Sequence, residues 1–269
     1  MPNLFSKAVQ HLDIAQAAER TAQLGFEGMD LTVRPGGHVL PENVETDLPE
    51  AARIATGNGL AIPMIATQLT DPDDPQSETL LATAADCGVT HIKLGYTRWH
   101  FGEYEKLLER MKREGDVWAG LAERYDLCIC HHVHSSPVMT LSAACLREIL
   151  GDNDPDRFGA YIDPAHLMIE GMWAGWLQAL DVLRGRIRML AIKDFRLPEG
   201  RPPEDHEGVR PRWVPLSEGT VQWHRVMPIL RDLDFDGPIS YHGEYTDIDR
   251  DRHGELAAQD RAWLEGQGF

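Results

Sequence analysis

Long apolar runs are missing from this chain of 269 residues; none approaches the roughly 18 residues that cross a bilayer. The first residues, Met-Pro-Asn-Leu-Phe-Ser-Lys, lead into a polar, helix-like stretch at 11–24, so the charged and apolar regions of a secretory signal are missing too. Cysteine is scarce. The four, at positions 87, 128, 130 and 145, contain no Cys-x-x-Cys pair, and Cys128 and Cys130 would be neighbours on one strand face rather than a disulfide. A reduced, cytoplasmic protein is expected. Positive charge is in deficit: 26 Lys and Arg against 43 Asp and Glu leave a net charge of −17, which repels nucleic acid and anionic membranes at long range. No strand-like segment runs into Gly-x-Gly-x-x-Gly, and no Walker-type phosphate loop is present.

What is present is a repeated switch between helix-period and strand-type segments. Apolar residues at helical spacing over 12–24 stop at Gly25, and FEGMDLTV then reads as a strand. Helical patterns at 48–59, 78–88, 104–125 and 141–150 lead into LAIPMIATQ, VTHIKLGYT, DLCICHHVH and GAYIDPAHL. Two more, at 176–186 and 222–233, precede IRMLAIKDF and GPISYHGEY. With LFSKAVQ near the N-terminus the strand count is eight, and ELAAQDRAWLEG supplies a last helix. The spacing predicts a single (β/α)8 TIM barrel over 1–269, and the 42% hydrophobic composition is ample for its core. An open doubly wound sheet would also alternate strands and helices. It would, however, scatter along a line the polar residues that sit late in nearly every strand, which a barrel gathers into one mouth. One irregular segment, 196–220, is rich in Pro, Gly and charge and follows the seventh strand, where it reads as a lid or a surface excursion.

Strand parity sorts the ionisable residues. In CICHHVHSS, Cys128, Cys130, His132 and His134 share one face, and Ile129, His131 and Val133 the other. Small Cys side chains suit a crowded barrel interior, so His132 and His134 are expected at the mouth and His131 under the helices. Ser240, His242 and Glu244 share a face in the last strand. Lys193 is placed inward because Ala191 fits the interior better than Ile192. Asp163 ends its strand before Pro164, as a ligand or as the cap of a helical turn, and His166 lies one turn further on. Imidazoles and carboxylates from separate strands suit Mn²⁺, Zn²⁺, Co²⁺ or Fe²⁺ better than an all-oxygen Mg²⁺ or Ca²⁺ site. Lys93, Arg34, Arg98 and Arg196 are either anchors for an anionic substrate group or solvated charges. Trp99 is the candidate stacking platform, whereas Trp173 and Trp223 read as packing residues.

At GFEGMDLTVRPGGH, DPAH, AIKDF, VPLSEGTVQW and GPISYHGEY the chain resembles the xylose-isomerase-like barrel family, specifically its sugar-phosphate isomerase/epimerase group. The resemblance implies a pocket at the C-terminal mouth holding a divalent metal, commonly Mn²⁺, through a Glu, an Asp, a His and a second Glu, with the two glutamates as the acid/base pair. Glu244 matches the last-strand glutamate, and Asp163 with His166 matches the Asp-x-x-His element. Two positions depart: His132 stands where the family carries its first glutamate, and Ala191 where it carries a histidine. The implied metal ligands here are His132, Asp163 and Glu244, with His134, His166 or His242 able to complete the set. If His132 binds metal, Glu244 is the principal base, with Lys193 or a histidine as acid or oxyanion partner; if it is free, His132 is the imidazole half of an acid/base pair with Glu244, and metal binding rests on Asp163 and Glu244.

The leading expectation is a metal-assisted isomerase or epimerase of a small sugar, keto-sugar or sugar derivative, acting by proton abstraction beside a carbonyl. A lyase on a 3-keto-glycoside-type substrate would share that first step. A sugar-binding barrel without metal or catalysis is the reading from another class, motivated by His132 and Ala191. A small carbohydrate is the expected partner, with His134, His166, His242, Lys93, Arg34 and Trp99 around it. Nucleic acid and membrane are not expected, and a homo-oligomer stays open.

Overall fold

A computed structural model describes residues 1–198 and 210–268. Strands β1 (Pro2–Phe5), β2 (Gly28–Val33), β3 (Ala61–Thr67), β4 (His91–Lys93), β5 (Cys128–His132), β6 (Phe158–Ile162), β7 (Ile187–Ile192) and β10 (Ile239–Tyr241) pair in parallel to form a closed barrel. The ring closes where Pro2, Asn3 and Leu4 pair with Ile239, Ser240 and Tyr241. Helices α1 (Ile14–Gln23), α2 (Val44–Gly57), α3 (Pro75–Asp86), α4 (Tyr104–Tyr125), α5 (Ala143–Leu150), α6 (Pro164–Glu170), α7 (Gly175–Val182), α8 (Trp223–Asp232) and α9 (His253–Gly266) lie between and after the strands. The expected TIM barrel is the observed fold. No helix among the described residues is long and apolar enough to cross a membrane.

The two faces of each strand feed two separate cores, as the period of two requires. Met64, Cys128, Cys130, Tyr161, Met189 and Ala191 fill the barrel interior. Ile129, Val133, Leu190 and Ile192 join the larger layer between strands and helices with Leu146, Trp118 and Trp176. His131 lies in that outer layer, its ring edge-on to Phe158 at 5.5 Å. Local rules set the helix starts: Asp13 and Gln16 form a reciprocal capping box at α1, and Asp74 followed by Pro75 opens α3.

Three departures from the sequence reading bear on the site. The first strand is Pro2–Phe5, not 4–10, because Ser6 leaves the ladder: its Oγ accepts the Thr32 N–H at 2.9 Å and the chain turns through a 3-10 helix, Ser6–Val9. That turn brings Lys7 to the mouth. The segment after β7 is folded at its ends, where β8 (Asp194–Arg196) pairs antiparallel with β9 (Arg212–Val214). Its central part, 199–209, lies outside the described residues, and with it part of the expected lid. Trp223 is buried as expected, but Trp173 is 93% exposed.

Asp194 ties the return of this segment to the barrel. Its Oδ1 accepts the N–H groups of Phe195, Thr220 and Val221 at 2.7, 2.8 and 2.9 Å, and its Oδ2 accepts Trp223 Nε1–H at 2.9 Å. Gly219 is required beside it, since a Cβ there would lie 1.8 Å from Asp194 Cγ. The GTVQW part of the motif is thus a backbone approach to one buried carboxylate.

Candidate active site

The C-terminal ends of the strands enclose a cavity of about 210 Å³ lined by thirteen residues that include Asp30, Lys93, Tyr96, His132, Lys193 and Glu244. Its centre of charge is an ammonium between two carboxylates. Lys193 Nζ lies 3.3 Å from Asp163 Oδ2 and 3.1 Å from Glu244 Oε2. Glu244 Oε1 also pairs with Lys7, so both of its oxygens are engaged by cations. Trp213 roofs the cluster, with Lys193 Nζ 4.3 Å from its ring centre. The Lys193 side chain is 4% exposed, Asp163 is fully buried and the Glu244 side chain is 20% exposed.

Asp163 resolves the choice between cap and ligand by dividing its oxygens. Oδ1 accepts the N–H groups of Ala165 and His166 at 3.0 and 3.1 Å and starts α6, while Oδ2 receives no hydrogen bond and faces Lys193, His132 and His166. His132 stacks on Tyr161 at 4.3 Å, its Nδ1 is 2.6 Å from the Tyr96 hydroxyl, and its Nε2 is 3.6 Å from Asp163 Oδ2. His166 Nδ1 accepts the Ser135 N–H at 3.2 Å, which puts the proton of the neutral ring on Nε2, 3.6 Å from Asp163 Oδ2. His242 Nε2 meets the Tyr161 hydroxyl at 2.9 Å, and its Nδ1 lies 3.6 Å from Glu244 Oε2. His134 lies beside Tyr96 and His166, with ring centres 4.8 and 4.0 Å away.

These contacts set the protonation states. Burial on its own raises the Asp163 and Glu244 carboxyls; the Lys193 charge outweighs it and, with the neighbouring imidazoles and Lys7, holds both well below the usual carboxylate range. Burial likewise disfavours the Lys193 ammonium, but Asp163 and Glu244 raise it above its ordinary value. Burial keeps His132, His166 and His242 neutral, helped by the Lys193 charge at the latter two, and lowers His134 to about 4. Across the ring, burial moves Asp30 up to about 7 and Lys93 down to about 7.

The structure therefore gathers Glu244, His132, Lys193, His134, His242, Lys93 and Arg34 around one cavity. It does not gather Trp99 or His166 there. Trp99 is half-buried against the hydrophobic core, because the chain after β4 turns so that Tyr96 faces the cavity instead, and His166 is 1% exposed behind Asp163. Arg98 and the exposed Arg196 stand outside it as well. Tyr161 and Asp30 went unassigned in the sequence although parity points both inward. Lys7 and Trp213 carried no such signal, since a 3-10 turn and the folded-back β9 segment bring them in, while Phe5 ends β1 at the cavity.

The residues do not fit the divalent metal that the family resemblance implies. Asp163 Oδ2, His132 Nε2, His166 Nε2 and His242 Nδ1 are buried without hydrogen-bond partners, as free donors would be. Yet no three His, Cys, Asp or Glu side chains among the described residues are grouped to hold an ion. The shell expected on His132, Asp163 and Glu244 is interrupted by the Lys193 ammonium, which contacts both carboxylates.

No curated protein matches this sequence. Among solved structures, a 3-keto-D-glucoside 4-epimerase from E. coli superposes with a TM-score of 0.70 at 17% identity, covering 94% of both chains. A probable 3-DHS dehydratase involved in petrobactin synthesis from Bacillus anthracis gives 0.70 at 16% identity, covering 96% of this chain and 97% of the other. A xylose isomerase-like TIM barrel protein from Mycobacterium smegmatis, in complex with magnesium, gives 0.67 at 16% identity, covering 96% and 90%. Residues 18–267 match the family described as xylose isomerase-like TIM barrel. With that match running from α1 to the end of α9, on an eight-stranded parallel barrel whose ionisable side chains meet at the C-terminal mouth, this chain belongs to the xylose isomerase-like TIM barrel family.

Proposed function

We propose that this barrel is an isomerase or epimerase of a small keto-sugar or sugar derivative, moving a proton on a carbon beside a carbonyl. The observation that carries the reading is the Lys193 ammonium held between two ionised carboxylates on the cavity wall. A carbonyl oxygen placed on Lys193 is polarised towards the enolate, and Glu244 is the carboxylate beside it that accepts the carbon-bound proton. Glu244 is a weak base while Lys193 and Lys7 hold it. Once the substrate oxygen takes up part of the Lys193 charge, that restraint loosens and Glu244 gains basicity at the moment of use. His132, buried and neutral beside Tyr96, is placed to relay a proton within the cavity. Arg34, Lys93, His134 and His242 line the rest of the cavity and position the sugar's oxygens.

Size supports a small substrate: about 210 Å³ falls below the roughly 300–1,000 Å³ of pockets for larger ligands. The similarity to a 3-keto-D-glucoside 4-epimerase supports a keto-sugar. An elimination would use the same first step, and the likeness to a probable dehydratase keeps it as the second reading.

The test is solvent deuterium exchange. In D₂O, NMR should show one carbon-bound proton of a keto-sugar exchanging, and the product formed separates epimerisation from elimination. Glu244→Gln is expected to slow that exchange by roughly 100- to 10,000-fold, the range of a lost general base. Unchanged exchange in that variant, or sugar binding with no exchange in either protein, sinks the reading.

A further inference from the structure

Four positions around the mouth correspond to the family's metal donors: His132 on β5, Asp163 after β6, Ala191 on β7 and Glu244 after β10. Only two of them are carboxylates. Ala191 is fully buried in the barrel interior with Met189 and Cys130, so a methyl group stands where an imidazole is expected. Lys193 follows two residues later on the same inward face and spans Asp163 and Glu244, with contacts of 3.3 and 3.1 Å.

We infer that the Lys193 ammonium replaces the divalent ion in this chain: the site has exchanged a bound metal for a built-in cation and takes no divalent metal of its own.

The exchange is consistent in charge and in hydrogen bonding. Exchanging a glutamate for His132 and a histidine for Ala191 removes a negative charge and one donor position, and an ammonium with a single charge neutralises less than a metal does. Two carboxylates remain for it. Lys193 Nζ hydrogen-bonds Glu244 Oε2 and contacts Asp163 Oδ2 as an ion pair, which leaves N–H capacity for the oxygen of a substrate in the cavity. A divalent ion at the same place would meet a like charge within a few ångströms. It would have to displace an ammonium that already contacts both remaining carboxylates.

The catalytic consequence rests on the proposed isomerase or epimerase activity. As Glu244 takes the proton from carbon, the C–H electron pair forms the C=C bond of the enolate. The carbonyl π pair moves to the oxygen, where the Lys193 N–H stabilises it; a proton then returns to the opposite face of the same carbon in an epimerase, or to the former carbonyl carbon, with the hydroxyl proton crossing to the other oxygen, in an isomerase. No electron enters or leaves.

Two measurements decide the inference, and the first needs no substrate. Full-length protein freed of metal with EDTA and titrated with Mn²⁺ by calorimetry, and with Co²⁺ by visible absorption, should show no saturable binding at micromolar concentrations. The triple variant His132→Glu, Ala191→His, Lys193→Met restores the carboxylate and the imidazole and removes the cation. It should bind one Co²⁺ per chain and show ligand-field bands that the parent lacks. One equivalent of tightly bound Mn²⁺ or Co²⁺ in the parent overturns the inference, whether or not the triple variant folds. The second measurement is deuterium exchange of a keto-sugar. The parent should keep its rate after EDTA and gain nothing from added Mn²⁺, while Lys193→Met should lose roughly 100- to 1,000-fold, as for a deleted oxyanion donor. Mn²⁺-dependent exchange in the parent overturns the inference; a parent that binds no metal and exchanges no sugar overturns the functional reading and leaves the metal replacement standing.

Discussion

Asp30 and Lys93 occupy the cavity wall across the ring from β7 and β10, and their burial has a measurable cost. Asp30 accepts a hydrogen bond from Ser240 at 2.7 Å on one oxygen, and its other oxygen is buried without a partner. Arg34, Lys93 and the Tyr161 hydroxyl are the other groups facing it, and together with Ser240 they offset only part of the desolvation that moves it up to about 7. In the unfolded chain this carboxyl ionises near its ordinary 3.8. The folded state therefore binds the extra proton between those values, and stability falls as pH rises from about 4 to about 7, with the loss complete above. Asp30→Asn keeps an acceptor for Ser240 and removes the buried charge. It is expected to raise unfolding stability by roughly 3 kcal/mol at pH 8 and by almost nothing at pH 4, as read from denaturant melts. An equal gain at both pH values would show that charge burial is not the cause.

Among the elements, the return from β9 to α8 depends most on a single contact. Asp194 organises four N–H donors, and Gly219 is the residue that lets the backbone pass it. A Cβ at 219 must push the carboxylate aside and strand buried donors, so Gly219→Ala is expected to cost about 3 kcal/mol or more in denaturant unfolding. The same change should loosen Trp213, which roofs Lys193, and so weaken activity as well. A variant as stable as the parent would mean that the carboxylate has room to move. This element was half legible in sequence. The turn residues in VPLSEGTVQW announce a tight passage, but nothing in their order says that the partner is Asp194, because a contact across 25 intervening residues leaves no local periodicity. Helix α6 shows the same limit in miniature: Asp163 before Pro164 signals a cap, and only the fold reveals that its second oxygen is left over for the site.

For the whole molecule, closure of the ring is the decisive event. β1 pairs with both β2 and β10, and Asn3 Nδ2 donates to the Ile239 carbonyl at 3.0 Å across the seam. Deleting residues 1–5 would expose the edges of β2 and β10, and a barrel has no other strand to cover them. That truncation is expected to aggregate or elute as large species in size-exclusion chromatography; a monodisperse, helical product would show that the seam is dispensable.

The sequence by itself determined the alternation of strands and helices, the count of eight, and the inward direction of His132, His134, Lys193, His242 and Glu244. Those follow from periods of 3.6 and 2, which are written residue by residue. Only the tertiary structure decided which inward groups meet. It set Lys193 between Asp163 and Glu244, brought Tyr96 rather than Trp99 to the cavity, kept His166 behind Asp163, and delivered Lys7 and Trp213 from outside the barrel strands. Parity fixes the direction of a side chain but not its height along the barrel axis or its neighbours across the ring, and those distances exist only once strands far apart in sequence are closed against one another.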